Sequence, residues 1–251
     1  MKTNMIKTLL TVLLIISSTL PINLFAATIS SMSGKVNSNF VFSDSKNSSF
    51  SEQNKADIKK HTNAAINKVL KIMPDLATEI NFNIRLIDRD LTTVYGVTGR
   101  ADKKDEIEIS LSSIYKGGIP QAIKDGLAGT VYHELHHTVR GWTMYGNKFE
   151  QGIDIATINE GLADVFAEIQ ISRAMNKMST NVDFPSWIKE IKALPQNANY
   201  GSWMNFHPDG REAIGYRTGA FIVKKAMRNS GKDIINLSYM SVKDIYKLAG
   251  Y

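Results

Sequence analysis

His133-Glu134-Leu135-His136-His137 holds three of the five histidines in the chain. On a helix, positions i and i+4 project from one side, so His133 and His137 are spaced to grip one metal ion together. Glu134 then lies about 100° round the axis from His133. From there it reaches a water on that ion without itself being a ligand. His136 points about 60° away from His133 and reads as a hydrogen-bonding residue with no ligand role.

The flanks supply the helix. Ile123, Leu127, Val131 and Leu135 recur at four-residue spacing, which predicts a helix over 120–140 closed by Gly141. A catalytic zinc site usually needs a third protein ligand beside its water. One arrangement uses a histidine six residues after the second, with a glycine midway. Thr143 and Arg140 occupy those places, which excludes it. The other uses a glutamate on a following helix, and Asn159-Glu160-Gly161-Leu162-Ala163-Asp164 offers one, 23 residues after His137. A helix is expected over 155–174, with Ile158, Leu162, Val165, Phe166 and Ile169 inward. Glu160 and Asp164 then share a face. Glu160 is spaced to bind the metal, and Asp164 to accept the free ring N–H of a ligand histidine. Arg140 is nearly in line with His133 and His137. Contact with substrate or a ligand carboxylate, and a cation placed for the helix dipole, are both open readings of it.

The pairing of His-Glu-x-x-His with Asn-Glu-x-x-x-Asp resembles the glutamate-zincin metallopeptidases, to which thermolysin belongs. More closely, His-Glu-Leu-His-His-Thr-Val-Arg (133–140), Glu-Gly-Leu-Ala-Asp (160–164) and Gly-Tyr-Arg-Thr-Gly (215–219) resemble the predicted zinc-dependent proteases of the DUF2268 family, over 130–251. The resemblance implies an α+β, zincin-like fold: a small N-terminal sheet packed on the His-Glu helix, and a mainly helical C-terminal half. It also implies Zn2+ on His133, His137 and Glu160, with Glu134 as catalytic base. Asp164 would partner His133, and Asn159 would partner His137. Tyr216, inside the third motif, is the first candidate for the donor that stabilises an oxyanion, ahead of His207 and Arg211. The expected reaction is hydrolysis of a peptide bond in a peptide or protein substrate. That substrate would lie extended along 106–111 if this strand is a sheet edge, with 181–208 as wall or lid. The rival expectation is a binding module of the same fold that holds zinc and cuts nothing.

The rest of the chain bounds these readings. A length of 251 residues with 43% hydrophobic and 22% charged residues suits one globular domain. The absence of cysteine excludes disulfides, thiolate metal sites and thiol catalysis. Lys2 and Lys7, the apolar run Leu9 to Ile16, and Leu24-Phe25-Ala26-Ala27 read as an export signal over 1–26. An uncleaved anchor is the alternative, but the run is far short of the roughly 20 apolar residues needed to span a bilayer. The expectation is therefore a secreted or periplasmic protein with no stable membrane insertion after cleavage. Losing Lys2 and Lys7 takes the formal charge from +6 to +4, with 28 basic and 24 acidic residues left. The lysines are scattered, and no nucleic-acid motif is visible.

Serine and asparagine dominate 27–50, which reads as a flexible leader before a single domain over 51–251. Ile58, Ala65, Ile66, Val69 and Ile72 predict an amphipathic helix over 51–73, ended by Pro74. Alternation at Ile80, Phe82, Ile84 and Leu86, and again at Ile107, Ile109 and Leu111, predicts two strands around a glycine-containing loop at 93–105. The stretch 181–208 reads as irregular. Helices are expected over 211–228 and 241–249, the last opened by a capping box of Ser241 and Asp244.

Overall fold

In a computed structural model that describes residues 36–141, 152–179 and 181–251, four strands form one sheet of order β1-β2-β4-β3. They are β1 (Asn37–Ser43), β2 (Glu79–Ile87), β3 (Val97–Lys103) and β4 (Glu106–Ser112). β1 and β4 both run parallel to β2, and β3 runs antiparallel to β4. The register follows the alternation. Phe40 meets Phe82, Phe82 meets Ile107, and Ile84 meets Ile109, so the apolar side chains of successive strands fall on one face. The other face is polar. Arg85 pairs with Glu108 at 2.7 Å, and Arg100 pairs with Asp102 at 2.7 Å.

Helix α1 (Glu52–Ile72) joins β1 to β2. Its first turn is closed by Ser51, whose hydroxyl accepts from the Asn54 amide while Asn54 Oδ1 accepts from the Ser51 amide. After β4 the chain enters α2 (Gly118–Ala122) and passes through a π-helical turn (Ile123–Leu127) into α3 (Ala128–Arg140). Gly141, at φ 74°, ends α3 in the left-handed conformation that glycine adopts without penalty. α4 (Ile153–Ile171) is buried on nearly every side between residues 156 and 167, so it is the central helix of the C-terminal half. α5 (Phe184–Lys192), α6 (Ile214–Ser230), α7 (Ile234–Ser238) and α8 (Val242–Ala249) follow, and α6, α7 and α8 all pack on α4.

The α4–α6 crossing is made by glycines. A Cβ at Gly161 would fall on the backbone of Gly219, and one at Gly219 on the Thr157 carbonyl, both well inside van der Waals contact. Glycine therefore stands on each helix at the point of closest approach, where the backbones touch. That contact brings Tyr216 on α6 over the residues of α4 described below.

Several expectations change. The leader reading of 27–50 is corrected from residue 37 onward. Phe40 stacks on Phe82 at 5.2 Å and Phe42 packs on Phe50, so this serine-rich stretch carries enough aromatic surface to pair as β1. The loop expected at 93–105 contains β3, whose Val97 and Ala101 are buried. The irregular stretch 181–208 contains α5, capped by Asp183 and built on Trp187, Ile188 and Ile191, and a π-helical turn at Gly201–Asn205. Ile169, expected inward, is 48% exposed because α4 leaves the core in its last turn. The export signal expected at 1–26 lies outside the described residues.

Replacing Gly219 with alanine tests the crossing. The helix-propensity gain of about 1 kcal/mol is set against overpacking that costs about 1–3 kcal/mol or more. Here the obstructing atom is backbone, so the upper end applies. The expected result is a thermal midpoint several degrees below wild type, read by circular dichroism; a higher midpoint would refute the contact.

Candidate metal centre

α3 turns Val131 and Leu135 into the core, which leaves His133 and His137 facing α4. α4 does the same with Leu162 and Phe166, so Glu160 and Asp164 face α3. The donor atoms converge. His137 Nε2 lies 3.0 Å from His133 Nε2, and Glu160 Oε2 lies 3.1 Å from His133 Nε2 and 2.9 Å from His137 Nε2. All three side chains are buried.

This arrangement fits a metal ion on its own chemistry. Three lone-pair donors meet at one place, and two imidazole nitrogens 3.0 Å apart have room for only one proton between them. Ligands about 2.0–2.1 Å from a tetrahedral zinc sit a little over 3 Å from one another, close to the observed spacing. A buried His-His-Glu group is also the common donor set of a catalytic zinc site. The likeness extends well beyond these residues. Residues 58–247 match the family model described as predicted Zn-dependent protease (DUF2268). The chain belongs to that family. Neither the curated proteins nor the solved structures contain a match.

Within this member of the family, His133 and Glu160 are each held by a further neighbour. Asp164 Oδ1 lies 2.9 Å from His133 Nδ1, the ring nitrogen turned away from the convergence point. Burial works to lower the His133 pKa, but Asp164, Glu160 and Glu134 together push it well above the ordinary value. A cation at the convergence point would take the place of that proton. Glu160 uses its second oxygen elsewhere: the Tyr200 hydroxyl donates to Oε1 at 3.0 Å. Burial, and then the Glu160 charge, raise the Tyr200 pKa far beyond the usual phenol value, so Tyr200 stays a donor. Tyr216 lies with its ring 6.2 Å from that of His133. Burial and the charge of Glu160 raise its pKa in the same way.

Glu134 is only 4% exposed. Its carboxylate lies against Gly99 of β3, where a Cβ would come within 2.6 Å of Glu134 Oε1. Glycine at 99 therefore leaves room for the carboxylate beneath the strand. His136 and Arg140 are structural. The Ser238 hydroxyl donates to the Ile234 carbonyl, so the 2.8 Å contact from His136 Nε2 is a donation to Ser238. Arg140 Nε donates to Asn159 Oδ1, and its Nη1 donates to the carbonyls of Ser238 and Met240. Burial lowers the Arg140 pKa to about 10. Of the two open readings of Arg140, the place in the last turn of α3 fits the dipole one, and its hydrogen bonds run to Asn159 on α4, to the last residue of α7 and to Met240.

Asn159 braces α3 against α4: its oxygen accepts from Arg140 and its amide donates to the Ile155 carbonyl at 2.8 Å. His207 and Arg211 are drawn to Asp209, at 2.8 Å each, and Arg211 also binds Glu190 at 2.8 Å. Both side chains have carboxylate partners of their own, whereas Tyr216 stands beside His133. Tyr200 is the residue that the sequence reading missed. It lies in a stretch without periodicity, 40 residues from Glu160, and no spacing rule links the two.

Asp164→Asn keeps the shape and removes the charge behind His133. Zinc affinity is expected to fall about 10–100-fold, as measured by competition with a chromophoric chelator. Unchanged affinity would separate Asp164 from the metal centre.

Proposed function

We propose that the chain is a zinc-dependent peptidase of the glutamate-zincin class, with a zincin-like fold, in which His133, His137 and Glu160 hold Zn2+ and Glu134 is the general base. The observation that carries the reading is the buried Glu134 carboxylate beside the three converging donors. A site built only to hold a metal has no need of a further carboxylate there. Zinc in such a site supplies Lewis acidity, lowering the pKa of water to about 7 and polarising a carbonyl.

The chain's own groups supply the rest. Glu134 accepts the proton of the attacking water and passes it to the departing amine. The Tyr216 hydroxyl, kept protonated by burial, donates to the oxygen on which negative charge develops. Asp164 keeps His133 in one tautomer. The substrate strand expected on 106–111 has to move, because β4 lies inside the sheet between β2 and β3. The edge next to β4 is β3, and an extended peptide added beside it would run past Gly99, against which the Glu134 carboxylate lies. Export to a secreted or periplasmic location is part of the proposal and rests on Lys2, Lys7 and the apolar run that follows them.

Two measurements test this. Glu134→Gln is expected to retain about one zinc per chain by native mass spectrometry, with peptide cleavage falling at least 100-fold in line with loss of a general base. Wild-type protein incubated with a peptide library should yield products that a chelator suppresses. Zinc bound without products would instead mark a binding module that does not cut.

A further inference from the structure

We propose that Tyr200 is a positioning residue that holds Glu160 Oε1 and so limits Glu160 to presenting one oxygen, Oε2, to the metal. The inference rests on the reading of His133, His137 and Glu160 as zinc ligands. A carboxylate has two equivalent oxygens and can bind a cation through one or both. Here they are not equivalent: Oε2 lies 3.1 Å and 2.9 Å from the two imidazole nitrogens, while Oε1 accepts from the Tyr200 hydroxyl at 3.0 Å. An oxygen engaged by a phenol is held away from the metal, which leaves a coordination position for water.

The phenol has a firm base. Tyr200 opens the π-helical turn Gly201–Asn205 and packs in a satellite cluster with Trp187, Met204 and Ile214. Met204 from that turn fills the space left by Gly215 on α6, one residue before Tyr216. The turn is therefore docked on the helix that carries Tyr216, and its first residue reaches across to α4. The Gly-Tyr-Arg-Thr-Gly motif thus does more than present Tyr216. Its first glycine seats the turn that holds Tyr200, and its last glycine seats α4.

Tyr200→Phe removes only the hydroxyl. Three readings on this variant support or overturn the inference. Zinc affinity, by chelator competition, is expected to fall about 10–100-fold while the metal-free protein unfolds close to wild type. The visible spectrum of the cobalt(II)-loaded variant is expected to weaken, as the freed Oε1 adds a ligand and raises the coordination number. In a Glu160→Ala background, the same Tyr200→Phe change is expected to leave the residual metal affinity unaltered. Equal affinity and an equal cobalt spectrum in the single variant would overturn the proposal, as would an equal loss of affinity in the Glu160→Ala background. X-ray absorption on the wild-type zinc protein needs no variant and decides the matter if Tyr200→Phe fails to fold. A single carboxylate oxygen on zinc supports the inference and a two-oxygen carboxylate overturns it. Wild-type protein that takes up no zinc would instead overturn the metal assignment itself.

Discussion

Three carboxylates and two imidazoles share one buried pocket, and that concentration of polar groups is the constraint on which the rest of the structure depends. Glu134, Glu160 and Asp164 are each less than a tenth exposed. Burying an ionised carboxylate without compensation costs many kcal/mol. The described partners of Glu160 are two imidazoles and a phenol, and that of Asp164 is an imidazole. These partners carry at most the charge of one or two added protons. A divalent cation at the convergence point would neutralise the group more completely, so the features that make the pocket costly to bury also suit it to a metal.

Holding such a pocket shut falls to the helices around it. Two kinds of contact do so. Glycine pairing lets α4 and α6 approach until their backbones touch, which leaves no room for water between the helices that carry Glu160 and Tyr216. Buried hydrogen bonds do the same on the other side. Arg140 ties α3 to Asn159 on α4 and to the carbonyls of Ser238 and Met240, and His136 donates to the hydroxyl of Ser238 at the end of α7. Each of these groups is paid for by a backbone or side-chain partner, so α3 is clamped within the motif at His136 and about one turn beyond it at Arg140. The residues flanking the converging donors in sequence thus stiffen the site without joining it.

How much of this was readable follows from the range of each interaction. His133, Glu134 and His137 were legible because one helix turn sets their spacing. Glu160 and Asp164 were legible for the same reason, once a second helix was inferred from Leu162, Val165 and Phe166. The main strands were legible because Ile80 to Leu86 and Ile107 to Leu111 alternate. β1 was not, because only Phe40 and Phe42 mark its buried face and serine and asparagine fill the remainder. β3 was not, because Gly99 and the charged Arg100, Asp102 and Lys103 look like loop residues until β4 and α3 are in place. Tyr200 and the Asn159–Arg140 pairing were illegible for a deeper reason. They join residues far apart in sequence through side-chain reach, and periodicity carries no record of that.

The composition that hid β3 also bears on what that strand can do. An exposed sheet edge invites pairing with any extended chain, and charged side chains and bulges are the usual means of discouraging it. β3 has both, but only toward its end: Arg100, Asp102 and Lys103 cluster there, and the register with β4 slips between Arg100 and Lys103. The regular part of the edge is confined to Val97–Arg100, and Gly99 lies in the middle of it, directly above Glu134. An added strand would find regular pairing only alongside Gly99, against which the carboxylate lies. On the peptidase reading, protection of the edge and placement of the scissile bond then have one origin: the bulge that spoils pairing beyond Arg100 leaves extended backbone room to bind over the general base and little room elsewhere.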